Sequence, residues 1–96
     1  MSSESLSRLR KTDYRSLIDR YDKQVLNALG HRIQAARQVG KLKKSQAAPV
    51  HDAEREKRML RQRRDWGNSL ALPQELIDDL FAVILRHSNR IQEGGL

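Results

Sequence analysis

Two cations, two carboxylates, a further arginine, a hydroxyl and an amide occupy positions on helical faces that core residues would normally fill. Arg32 and Lys43 lie 11 residues apart. At about 100° per residue their directions on a helix agree to within about 20°. Lys41 and Lys44 point well away from that line, which singles out Lys43. Asp52, Arg55 and Glu56 share a face by i, i+3, i+4 spacing. Ser88 and Gln92 continue the Leu80–Phe81–Ile84 stripe in i+4 steps. Side chains of this kind can converge between three helices, which is how helical bundles build small-molecule sites. Each residue alone has a plainer reading. Arg32 or Lys43 can be solvated, Asp52 a helix cap, and Arg55 with Glu56 a surface ion pair of little worth. Ser88 can be a small filler and Gln92 a frayed end. Their common register carries more than any one of them.

Composition limits the other possibilities. The chain has 96 residues and forms one domain at most, residues 1–96. It has no cysteine, hence no disulfide framework, zinc knuckle or thiol nucleophile. His51 and His87 have no carboxylate or second histidine at ligand spacing, so no metal site and no cofactor is expected. No apolar run of about 18 residues is present, so no membrane span is expected. Met1 to Lys11 lacks an apolar signal core, which makes a cytoplasmic protein the expectation. A formal charge of +7, from 19 basic and 12 acidic residues, points to an anionic partner, either nucleic acid or a small acid. With 38% hydrophobic residues, so short a chain is marginal as a solitary fold.

The elements that must position these residues are all helical. Between Ser7 and Ser45 apolar residues recur at helical spacing, among them Tyr14, Leu17, Ile18, Tyr21, Val25, Leu29, Ile33 and Val39. No proline interrupts them, and Gly30 costs that helix about 1 kcal/mol relative to alanine. Ser45 to Val50 reads as a loop. Asp52 reads as the N-cap of a second helix that runs to about Trp66, with Gly67 as its C-terminal stop. Trp66 reads as a hydrophobic plug. Pro73 opens a third helix with Leu76, Ile77, Leu80, Phe81, Ile84 and Ile91 on one stripe, ending before Gly94-Gly95. The fold class is all-α, with three helices per chain, one of them very long. A helix of about 38 residues is about 57 Å long, whereas a compact 100-residue domain has a radius of gyration of about 13 Å. The two shorter helices cannot cover it, so its apolar stripe is expected to meet another chain in an intertwined helical homodimer.

In this register the residues resemble a family, the all-α (AroQ-type) chorismate mutases, over roughly Leu9 to Gln92. The matching segments are Arg15-x-x-Ile18-Asp19-x-x-Asp22, Leu29-x-x-Arg32, Val39-Gly40-x-x-Lys43, Pro49-Val50-x-Asp52-x-x-Arg55-Glu56 and Ile84-x-x-x-Ser88-x-x-x-Gln92. The resemblance implies a homodimer of three-helix chains with the long first helices paired, and chorismate as substrate. It implies that Arg15 and Arg32 grip the two substrate carboxylates, assisted by Arg55 and Ser88. Lys43 and Gln92 would hydrogen-bond the ether oxygen, and Glu56, with the Asp52 region, would meet the ring hydroxyl. Arg15 precedes Lys43 by 28 residues, about 42 Å along a straight helix, so any Arg15 in the site comes from the partner chain. The implied reaction is the pericyclic rearrangement of chorismate to prephenate, in aromatic amino-acid biosynthesis. It is unimolecular and needs no nucleophile, metal or cofactor, only a folded conformer and a cation at the ether oxygen.

Two rivals remain. Isochorismate pyruvate lyases share the scaffold; Ala28-Leu29-Gly30-x-Arg32 and the alanines after Ser45 look lyase-like, while Asp52, Glu56 and Ser88 look like the mutase set. A basic nucleic-acid-binding module is the other. Against it, Arg55, Lys57, Arg58, Arg61, Arg63 and Arg64 spread around the second helix and aromatics are only 4%, so no nucleic-acid partner is expected. Gly30, Tyr14 and the arginine load of the second helix depart from the usual family pattern. Only a tail, residues 93–96, follows the matching region. The sequence fits a stand-alone mutase, a segment of a bifunctional enzyme or a designed domain.

Overall fold

The computed structural model describes residues 9–49 and 52–94. Among them the regular elements are three helices, α1 (Lys11–Ser45), α2 (Ala53–Ser69) and α3 (Gln74–Gln92), and none is long and apolar enough to cross a membrane. The expected helix start at Ser7 lies outside the described residues. The helix is seen from Lys11, where the Arg10 N–H donates to Asp13 Oδ2 at 3.0 Å. An acidic residue in this first turn also complements the helix dipole. α1 passes through Gly30 without a break.

The chain divides into two compact units, Met1–Arg32 and Ile33–Leu96. In the first, the apolar residues Ile18, Tyr21, Val25 and Leu26 are 54–67% exposed, while Tyr14, Leu17 and Leu29 are half-buried. The second unit holds the core, in which Ala36, Met59, Ile77 and Ile91 are each 5–7% exposed.

α2 starts as expected. Asp52, in extended conformation, accepts from the Arg55 N–H at 3.0 Å, satisfying an amide that the helix itself leaves unpaired. Its end differs from expectation. Gly67 does not stop the helix, which continues to Ser69. The stop is Ala71, in the left-handed region at φ 57°. Its N–H donates to the Asn68 carbonyl at 3.0 Å and the Leu72 N–H to the Gly67 carbonyl at 2.9 Å, a Schellman termination. Gly67 serves packing instead: a Cβ there would stand 2.7 Å from Ile77 Cγ1.

Trp66 is not a plug. It is 53% exposed, and the Arg63 guanidinium lies 4.9 Å from its ring centroid and 5.8 Å from that of Phe81. Burial, and next the Arg55 charge, push the Arg63 pKa below the usual arginine value. Arg64 instead reaches Asp78 on α3 at 2.7 Å, and that hydrogen bond, followed by the carboxylate charge, raises its pKa.

Pro73 is the N-cap of α3, which begins at Gln74. The expected apolar stripe of α3 splits. Ile77 and Ile91 are buried, but Leu76 and Leu80 are 50% and 43% exposed. The stripe is broader than the face that α2 covers.

Candidate active site

The end of α1 is tightly fixed. The Ala48 N–H donates to the Lys43 carbonyl at 2.8 Å, and Ala47 (φ 52°) donates to that of Lys44 at 3.2 Å, a second Schellman termination. One turn earlier Gly40 is buried against the end of α3. A Cβ at this position would lie 2.7 Å from the Gln92 carbonyl oxygen and 2.8 Å from its Cα. Only a residue without a side chain lets the two backbones come so close.

That approach brings Lys43 and Gln92 together. Lys43 Nζ donates to Gln92 Oε1 at 3.0 Å, in a part-buried setting. An ammonium group only donates, so the amide oxygen must face it, and the Gln92 Nε2 protons are turned elsewhere. Lys43 and Gln92, with Asp52 and Arg55, line a cavity of about 570 Å³. Val39, Glu54, Ala48 and Pro49 complete much of its wall. Two cations and two carboxylates thus face it, a local balance that does not by itself favour a dianion.

The other expected site residues are placed differently. Glu56 is half-buried on α2 and accepts at Oε1 from Asn89 Nδ2 at 3.0 Å. Among the described residues it forms no ion pair with Arg55, and it is not on the cavity wall. Ser88 is only 5% exposed, and no buried side-chain nitrogen or oxygen lacks a partner among the described residues. Arg15 is exposed and Arg32 half-buried, both within the first unit. Val50 and His51 lie outside the described residues. No group of three or more histidine or acidic side chains that could hold a metal occurs among the described residues.

Sequence reasoning missed Asn89, Glu54, Val39 and the packing role of Gly40. Gly40 stood in plain view three residues before Lys43 on a helix, where an interior glycine asks for a reason. Asn89, three residues before Gln92, carried an amide on a half-buried face.

Residues 14–93 match the pattern of chorismate mutase type II. The chain is 35% identical over 77 residues to the T-protein of Enterobacter agglomerans, covering 80% of this chain and 21% of that protein. It is 33% identical over 76 residues to the T-protein of Haemophilus influenzae, covering 79% and 20%. It is also 34% identical over 73 residues to the isochorismate pyruvate lyase of Pseudomonas aeruginosa, covering 76% of this chain and 71% of the lyase. The chain therefore spans about a fifth of the length of the T-proteins it matches. No solved structure matches it significantly. With the matched region running from before Arg15 to beyond Gln92, the chain belongs to the chorismate mutase type II family.

Proposed function

We propose that the chain is a chorismate mutase, an isomerase that converts chorismate to prephenate. The observation that carries this reading is the Lys43–Gln92 pair at the wall of the cavity. In the rearrangement the ether C–O bond breaks as a C–C bond forms between the enolpyruvyl methylene and the ring. Negative charge grows on the ether oxygen as that bond lengthens. An ammonium and a neutral amide donor held together before substrate arrives stabilise this charge more than the ground state, and nothing must reorganise when it develops. Arg55 serves one carboxylate, assisted by Ser88 of α3, while Asp52 and Glu56 serve the ring hydroxyl.

The local charge balance of the cavity wall calls for further cations against a dianion. Arg32 and, across an intertwined homodimer, Arg15 of the second copy supply them. The exposed apolar residues of α1, Ile18, Tyr21 and Val25, and those of α3, Leu76, Leu80 and Val83, support such a partner. Their i, i+3, i+7 and i, i+4, i+7 spacings make each set a helical stripe of the kind another helix covers. A cytoplasmic location goes with this reading.

The test is incubation of the purified chain with chorismate, following its loss and identifying the product by NMR. Prephenate is expected; unchanged chorismate sinks the proposal. A lyase reading has one specific support, the lyase relative matched over most of its own length. Salicylate formed from isochorismate at a rate matching or exceeding the mutase reaction would favour it.

A further inference from the structure

We propose that Asn89 is a positioning residue that holds the Glu56 carboxylate in place to accept from the substrate's ring hydroxyl. The proposal rests on the Glu56 role given above. Asn89 Nδ2 donates to Glu56 Oε1 at 3.0 Å, a part-buried bond that ties α3 to α2. An ionised carboxylate can only accept, so the amide nitrogen must face Glu56, and the orientation of the amide follows from chemistry. A bond to a charged acceptor is also stronger than one between neutral groups.

Both ends of this bond are built on fixed backbone. Asn89 lies between Ser88 and Ile91, which are 5% and 6% exposed. Glu56 lies one turn before Met59, also 6% exposed, and one turn after the Asp52 cap. A glutamate side chain has three rotatable bonds, and ordering it on substrate binding costs entropy. The Asn89 bond removes that cost in advance. It uses one carboxylate oxygen; the other accepts no hydrogen bond among the described residues. Although Glu56 itself does not line the cavity, Asp52 and Arg55 beside it on α2 do, so that oxygen is left for a hydroxyl at the cavity's edge. A leucine at position 89 would fill a half-buried helical face as well as asparagine does, so packing alone does not ask for an amide.

The test is a double-mutant cycle of Asn89→Leu and Glu56→Ala, read as kcat/KM for chorismate, with thermal melts of every variant. N89L should lose about tenfold, the low end for a hydrogen bond to a charged partner. In the E56A background the same change should cost no more than about twofold, because the group it positions is gone. Asn89→Ser, which keeps a polar side chain too short to make the bond, should repeat the pattern and serves if N89L fails to fold. Equal losses in both backgrounds, or no loss in N89L while E56A is impaired, overturn the role of Asn89 alone. Full activity in E56A overturns the Glu56 assignment, and the role of Asn89 with it.

Discussion

Among the described residues both units of this chain leave large apolar side chains exposed, but only one of them also builds a buried core. In Ile33–Leu96, residues from all three helices bury one another, and the buried backbone contact of Gly40 on Gln92 delivers Lys43 to its partner. In Met1–Arg32 the helix leaves Ile18, Tyr21, Val25 and Leu26 more than half exposed. Yet that stretch also holds Arg15 and Arg32, two of the cations proposed to bind substrate. One region therefore carries the part of the site that one chain can assemble. The other carries Arg15, which the proposed function assigns to a site completed by a second copy, and an exposed apolar stripe that such a copy would cover.

The largest effect should come from the self-sufficient region. Lys43→Ala removes the ammonium proposed to meet the ether oxygen and should cost about 3 kcal/mol or more of transition-state stabilisation, at least about a hundredfold in kcat. A loss below tenfold would remove Lys43 from that role. Arg15→Ala should follow, at about 2 kcal/mol upward in kcat/KM, for the loss of one charged partner of a substrate carboxylate. Its informative use is in a mixture. Random assortment of R15A and K43A chains in equal amounts makes heterodimers half of the population, each with one intact site of two, so about a quarter of wild-type activity should return. No recovery, once subunit exchange is verified, would break the division of labour between the two regions.

What the sequence made legible follows the same division. Helix periodicity located all three helices and singled out Lys43 and Gln92 on their own helices; that the two belong together came from the family resemblance, not from spacing. The Asp52 cap was equally readable, since its acceptor acts on an amide three residues away. Contacts between distant segments were not readable. Gly67 looked like a stop because glycine favours left-handed backbone, but Ile77 requires its missing side chain and Ala71 takes the left-handed position. Asn89 and Glu56 are 33 residues apart, and only the pairing of α2 with α3 shows that they meet. Trp66 was misread because its size suggested burial, whereas Arg63 stacks on its exposed ring.

Glycines give the finer comparison. Gly40→Ala places a Cβ 2.7 Å from the Gln92 carbonyl oxygen. A backbone atom cannot rotate aside as a side chain can, so the end of α3 must shift. The expected stability loss is about 1–3 kcal/mol. Displacement of Gln92 should also lower kcat/KM by about tenfold or more. Wild-type activity in a folded G40A chain would show that the close approach does not position Gln92.

Gly30→Ala is the counterpart in the first unit, and its sign is opposite. No atom outside the local helix lies within 4 Å of where the Cβ would stand, and Gly30 is in mid-helix without positive φ. Alanine then restricts the unfolded chain more and offers the helix its best former, a gain of up to about 1 kcal/mol. For a chain of this size that is a rise of roughly 4–8 °C in Tm, measurable by circular dichroism, with kcat/KM unchanged. A fall in Tm instead would point to the proposed second copy packing against Gly30 itself. The covered face of α1 would then extend beyond the Ile18–Tyr21–Val25 stripe, and the glycine would mark a close crossing of two helices, as Gly40 marks one within the chain.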